Sequence, residues 1–183
     1  LLVYGSSITH GGNASVPSGT YAFRLARKLG YDLINLGCAG SCQMDEAMAS
    51  YIGSRDDWDM ALFELGINVI ETWDGDRLYG KALAFLAAVL EARPYQQVFV
   101  TDMYYNRYDF EGDKRAARFR GAIQRCAAVL TGQYGGRLHY INGLEAMDTP
   151  QGLSSDGLHP SDLGHGMIAE RLAGYMAEKK EVN

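Results

Sequence analysis

The sequence predicts a three-layer α/β/α sandwich around a five-stranded parallel sheet, and three observations support that expectation. Short apolar runs recur at residues 1–4, 32–36, 58–65, 98–101 and 138–141. Stretches with apolar positions at helical spacing separate them, and Gly or Pro stands at the junctions. The length of 183 residues, 47% of them hydrophobic and 21% charged, suits one well-cored domain over residues 1–183. Unalternated hydrophobic runs fit strands buried on both faces, and strands separated by helices call for right-handed crossovers in one parallel sheet.

The first run, Leu1 to Tyr4, breaks off at Gly5 and feeds a turn with two serines, Ser6 and Ser7. Ser18 is the expected cap of the first long helix, in which Tyr21, Leu25 and Leu29 share a face and which Gly30 ends. Residues 32–36 form the second strand, stopped by Gly37, and the small residues 37–41 follow as a loop open to close backbone approach. Residues 45–52 read as a short helix. The third strand, residues 58–65, ends at Gly66-Ile67-Asn68. Over residues 76–92, Leu78, Ala82, Phe85, Leu86, Val89 and Leu90 repeat with helical period, and Pro94 ends the pattern. After the fourth strand comes a loop rich in Tyr, residues 104–108. Phe119, Ile123, Cys126 and Leu130 mark one face of the next helix. Ser161 caps the last one, with Leu163, Met167, Ile168 and Leu172 expected inward.

Composition narrows the functional classes. Seventeen basic residues against 22 acidic leave a net charge of −5, and no basic stripe forms, so a nucleic-acid partner is not expected. No stretch approaches the roughly 20 apolar residues of a membrane span. None resembles a signal peptide, which makes the cytoplasm the expected compartment. The chain starts without Met and already inside a strand, so an upstream domain is a further expectation. Three cysteines, Cys38, Cys42 and Cys126, are an odd number without metal-type spacing, so reduced structural thiols are expected, with no metal site.

In sheets of this kind the loops that follow the strands share one edge, where ligands bind. Ser7, Gly40, Asn68, the Tyr104 loop and the segment near His159 would meet there. A serine hydroxyl needs a base to take its proton, and an imidazole base needs a carboxylate to hold its tautomer. Ser7, His159 and Asp156 fit those roles, Asp156 and His159 standing three apart across a glycine turn. The loop at residues 37–41 offers a backbone N–H and Asn68 a side-chain amide to a developing oxyanion. Each of these features alone is ordinary turn chemistry; the ordered set at strand ends is what points to a reaction.

These residues resemble the SGNH hydrolase superfamily, the GDSL-type serine esterases. The nucleophile block is matched by Gly5-Ser6-Ser7-Ile8, the second block by Asn35-Leu36-Gly37-Cys38-Ala39-Gly40, the third by Gly66-Ile67-Asn68 and the last by Asp156-Gly157-Leu158-His159. The resemblance implies a flavodoxin-like sheet, Ser7 as nucleophile, His159 as base and Asp156 as its orienting acid. It also implies an oxyanion hole of the Ser7 N–H, Gly40 and Asn68, with no cofactor. Ser6 stands where the family has Asp, and Val69 where an Asp often follows the third-block Asn. The Gly-Ser-Ser-Ile form is similar to a bacterial subgroup often found behind a β-rich domain.

The expected substrate is a small-molecule or carbohydrate ester, with a short acyl group, acetyl above all, on a polar alcohol. The loops around the site are Gly/Ser/Asn-rich, small, or rich in Tyr, Asn and Arg, and show no apolar lid of the kind a long acyl chain needs. Tyr104, Tyr105 and Arg107 are the candidates to line the substrate site. The alternatives are an acyltransferase using the same acyl-enzyme, a lipase or thioesterase, and a non-catalytic binding domain. His10, His139 and His165 are expected on the surface or in packing roles, and Asp74-Gly75-Asp76 in a turn.

Overall fold

All five apolar runs form strands in the computed structural model, which describes residues 1–180. They are β1 (Leu2–Gly5), β2 (Ile34–Gly37), β3 (Met60–Glu64), β4 (Gln97–Thr101) and β5 (Leu138–Ile141). They pair in parallel in the order β2-β1-β3-β4-β5. β1 and β3 are buried along their whole length, whereas β2 and β5, at the two edges, are partly open. This is the burial that the unbroken hydrophobic runs require.

The helices are α1 (Ser7–His10), α2 (Tyr21–Leu29), α3 (Glu46–Ser54), α4 (Gly75–Ala92), α5 (Arg107–Phe110), α6 (Lys114–Tyr134), α7 (Gly143–Ala146) and α8 (Asp162–Lys180). The chain crosses from β1 to β2 in one direction and from β3 through β5 in the other. Right-handed crossovers therefore put α2 on one face of the sheet and α3, α4 and α6 on the opposite one. α2 packs with α8, while α4 packs with both α3 and α6, which completes the three layers. At the centre the Tyr4 ring stacks on Phe85 with centroids 5.1 Å apart, and Phe63 meets both rings edge-on.

Two local expectations are corrected. Thr20, not Ser18, caps α2, its hydroxyl accepting from the Phe23 N–H at 3.3 Å. Pro17 starts a 3-10 turn over Pro17–Gly19, which takes Ser18 out of the capping position. Leu163 is 59% exposed; the buried face of α8 comprises His165, Ile168, Ala169, Leu172 and Met176. The chain enters α8 in the register set by Ser161, which caps it through a 3.3 Å bond from the Gly164 N–H. Leu163 falls in the first turn, on the outward side of that register.

Candidate active site

Ser7 reaches the C-terminal edge of the sheet because β1 ends at Gly5 and the chain turns at once into α1. Ser6 caps this short helix, its Oγ accepting from the Ile8 N–H at 3.1 Å. Ser7 is the first helical residue, so its own N–H has no acceptor within the helix.

The turn from residue 154 to residue 159, just before α8, brings a histidine to that serine. Ser7 Oγ lies 2.7 Å from His159 Nε2, and His159 Nδ1 lies 2.7 Å from Asp156 Oδ2. Asp156 Oδ1 accepts from the backbone N–H groups of Leu158 and His159 at 2.8 and 2.9 Å. Burial alone would raise the Asp156 carboxyl, but those two N–H bonds, the imidazole and the Ser154 hydroxyl outweigh it and hold the carboxyl well below its usual range. An ionised Asp156 keeps the proton on Nδ1 and leaves Nε2 as the acceptor facing Ser7.

The donors expected at the same edge are tied to one another. The Cys38 N–H bonds the Gly5 carbonyl at 2.7 Å, which joins the loop after β2 to the end of β1. The Cys42 N–H bonds Asn68 Oδ1 at 3.0 Å, so the Asn68 amide carbonyl is engaged and its NH₂ is left for another partner. Between these two ties sits Gly40, with φ +73 and nothing within 4 Å of where a side chain would stand. A hydroxyl bonded to an imidazole can attack a carbonyl, and N–H donors on the loops of the same sheet edge are the kind of group that holds a resulting oxyanion.

Of the loop expected to line the substrate site, Tyr104 does not fit that place. It is 2% exposed and meets Tyr21 edge-on, with centroids 5.9 Å apart, beneath the site. Arg120 causes this: Nε donates to the Met103 carbonyl at 2.9 Å, Nη2 to the Tyr104 carbonyl at 3.2 Å, and the guanidinium forks onto Asp109. The backbone is thereby drawn inward at Tyr104. Tyr105 is half-buried, and Arg107 is exposed beside Tyr108 and Glu71. The Arg107 N–H also bonds the Gly157 carbonyl at 2.6 Å, which joins this loop to the Asp156 turn. Burial pushes all three thiols up, Cys126 to about 12, so none offers a thiolate nucleophile near neutral pH. Among the described residues, no group of three or more His, Cys, Asp or Glu gathers as metal ligands.

The model of the GDSL-like lipase/acylhydrolase family matches residues 1–176. The chain belongs to that family. No curated relative matches it. Among solved structures, one described as a GDSL-like lipase from Bacteroides ovatus superposes with a TM-score of 0.85 at 24% identity, covering 100% of this chain and 53% of that one. A salicylyl-acyltransferase from a tetracycline biosynthetic pathway gives 0.85 at 23% identity, covering 99% and 55%. A family two carbohydrate esterase from Clostridium thermocellum, in complex with cellohexaose, gives 0.78 at 16%, covering 98% and 64%. The chain thus spans little more than half the length of the first two and under two thirds of the third, and at these identities the likeness shows the fold.

Three further residues support this acylhydrolase-family site, of which the sequence singles out only His165, as a surface or packing residue. Asn13 Nδ2 donates to Asp156 Oδ2 at 2.8 Å and to Ser154 Oγ at 2.7 Å. Its signal was faint: an Asn after two glycines, where a left-handed residue is common. His165, fully buried, bridges the Gly12 carbonyl (3.0 Å from Nε2) and the Tyr21 N–H (3.1 Å from Nδ1). Gly12 in turn lies against the catalytic candidate, because a Cβ on it would stand 2.7 Å from His159 Cδ2. The third is Glu64, whose signal was plain: an acidic residue closing a strand buried on both faces.

Proposed function

We propose that this chain is a serine ester hydrolase that forms an acyl-enzyme at Ser7. The single observation behind it is the unbroken hydrogen-bonded line from Ser7 Oγ through His159 to Asp156, with each link at 2.7 Å. Ser7 Oγ attacks the ester carbonyl while its proton passes to His159 Nε2, and Asp156 stabilises the imidazolium that forms. The oxyanion is held by the N–H groups of Ser7 and Gly40 and by the Asn68 amide, donors that strengthen as charge develops. His159 then gives its proton to the departing alcohol, the carbonyl re-forms and the C–O bond breaks. Water repeats the sequence in reverse, its proton passing to His159 and then to Ser7 as the acid leaves. Each of these residues acts through its own atoms, and no metal or organic cofactor is invoked.

The substrate proposed is a short-chain ester, chiefly acetyl, of a polar alcohol such as a carbohydrate. The loops at this edge carry exposed hydrogen-bonding groups in Asn13, Ser41 and Arg107, and only half-buried Leu158 and Tyr105 as larger apolar side chains. A long acyl chain needs more cover, since each buried methylene is worth about 0.8 kcal/mol. The likeness to a carbohydrate esterase seen with cellohexaose supports the same choice. A second reading, acyl transfer to an alcohol in place of water, is supported by the likeness to a salicylyl-acyltransferase, whose TM-score of 0.85 exceeds the 0.78 of the carbohydrate esterase. The domain at residues 1–183 is proposed to act beside an upstream domain, in keeping with the greater length of these neighbours.

The deciding experiment is kcat/KM for nitrophenyl esters from acetyl to decanoyl and for an acetylated sugar, with and without acceptor alcohols. Preference for acetyl, with rates independent of acceptor, is expected; a steady rise with chain length would indicate a lipase, and ester products would indicate transfer. Ser7→Ala should abolish turnover and labelling by a serine-directed phosphonate while the melting temperature holds. Labelling that persists in that variant would remove Ser7 from the mechanism.

A further inference from the structure

Beneath the nucleophile turn lies a carboxylate that the proposed mechanism does not use. Glu64 closes β3 at the centre of the sheet and is fully buried. Its Oε2 accepts the Ser6 N–H at 2.8 Å, the Ser6 hydroxyl at 2.7 Å and the Thr9 hydroxyl at 3.1 Å. These residues flank Ser7 on both sides. The line extends outward, because Thr9 Oγ1 also lies 2.6 Å from the Tyr21 hydroxyl. The other oxygen, Oε1, is buried with no hydrogen-bond partner among the described residues.

Three donors converging on one oxygen, with its twin left bare, is an arrangement that suits a charge. A neutral carboxylic acid would place a proton either on Oε1, where nothing accepts it, or on Oε2, among three groups already donating. A buried, incompletely satisfied carboxylate is costly to fold around, and a hydrophobic residue in a strand of this burial would be the ordinary choice. Ser6 makes the arrangement intelligible. It donates to Glu64 while accepting from the Ile8 N–H, so the same hydroxyl that starts α1 is oriented by the carboxylate.

We propose that Glu64 is a positioning residue for the nucleophile: through Ser6 and Thr9 it fixes the turn that presents the Ser7 hydroxyl and N–H, and it does so as the carboxylate anion. Ser6, which stands where GDSL-type relatives have an acidic residue, thereby receives from the neighbouring strand a charge that it does not itself carry. This rests on the reading of Ser7 as nucleophile given above. The groups facing Glu64 are Ser6 and Thr9 from α1, Tyr21 from α2, Cys42 after β2, Tyr104 after β4 and, through the site, His159. Burial raises Tyr21, Tyr104 and Cys42, so they remain neutral near neutral pH. Burial also moves Glu64 up to about 7, while Ser6, Thr9 and the imidazole oppose that rise. Glu64 is therefore a member of this set that changes charge there, and activity needs the proton off it as well as a neutral imidazole at His159 to accept the Ser7 proton.

The test begins with wild-type protein, nitrophenyl acetate and a fluorophosphonate probe. Glu64→Gln keeps the shape and removes the charge. It should fold, lower kcat by roughly 10- to 100-fold with little change in KM, as small displacements of a reacting group do, and slow labelling of Ser7 in parallel. The acid limb of its kcat/KM profile should become shallower than that of the wild type, because the Glu64 proton no longer contributes to it. Thr9→Val keeps Glu64 but removes one donor to the anion, so its acid limb should move to higher pH; this variant decides if Glu64→Gln does not fold. A folded Glu64→Gln with wild-type kcat and an unchanged acid limb, or a Thr9→Val whose limb does not move, would overturn the role of Glu64. A wild-type Ser7 that neither turns over ester nor reacts with the probe would instead overturn the esterase reading, and the role of Glu64 with it.

Discussion

Asn13 and Asp156, 143 residues apart in sequence, are joined by a 2.8 Å hydrogen bond to the carboxylate oxygen that also faces the His159 ring N–H. Asn13 holds a left-handed backbone, φ 65, to make it. Side chain and backbone can be separated by two substitutions. Asn13→Gly keeps the backbone and loses only the donor, and since the site is exposed and Asp156 retains its backbone donors, kcat/KM should fall no more than about 10-fold. Asn13→Ala should show the same fall together with a lower melting temperature, because alanine lacks the short polar side chain that lets asparagine tolerate this left-handed backbone, a difference of about 1 kcal/mol. Wild-type kinetics in Asn13→Gly would show the bond to be incidental.

Gly12 tests how closely the histidine ring must be held. A methyl group there would stand 2.7 Å from His159 Cδ2, closer than a real Cβ tolerates, and 3.1 Å from the Ser7 carbonyl, a tight contact. Backbone lies on one side and the ring on the other, so the ring has to give. Gly12→Ala should lower kcat by about 100-fold, the scale of a displacement of order 1 Å, and leave the urea midpoint nearly unchanged. A large loss of stability at normal kcat would show that the backbone yields instead.

Asn68 is read as serving two partners with one amide: Oδ1 takes the Cys42 N–H, and Nδ2 is left for the oxyanion. Asn68→Ala removes both functions, whereas Asn68→Asp keeps the acceptor and loses the donor. Both should lower kcat by about 100-fold or more with little change in KM. Asn68→Asp should be the worse, since it sets a negative charge beside the developing one, while retaining the stability of the Cys42 loop. A pure KM effect in either would make Asn68 a substrate-binding residue.

The sheet was legible because each strand had to be buried, and burial writes itself into sequence as unbroken hydrophobic runs. The edge at which Ser7, His159 and Asp156 meet followed from topology once the strands were parallel. Tyr104 was misread for a physical reason: aromatic residues after a strand suit both a wall and a core, and the choice is made by Arg120, 16 residues further on, drawing the Tyr104 carbonyl inward. Leu163 was misread because the register of α8 depends on its entry at Ser161 and not on the hydrophobic pattern. Asn13 and His165 act through contacts between segments more than 140 residues apart, which no local pattern encodes.

Glu64 ties stability to pH in a direction opposite to most acidic groups. Burial moves its carboxyl from 4.5 to about 7, so between those values the folded protein holds a proton that the unfolded chain has released. Stability contributed by this group is therefore greatest below 4.5, falls as pH rises through the interval, and is lowest above 7. Asp156 contributes in the other sense, since its depressed carboxyl favours the fold above its ordinary range and that contribution is lost on acidification. Comparison of wild type with Glu64→Gln cancels Asp156 and every other group. The variant should gain on the wild type by about 3 kcal/mol as pH rises from below 4.5 to above 7, the equivalent of that displacement, measured as the difference in urea unfolding free energy. A difference that stays flat across the interval would mean that Glu64 keeps one charge state throughout. The rising difference would mean that the anion needed to hold the Ser7 turn is the form the fold least favours, so that alkaline conditions raise activity while they erode stability.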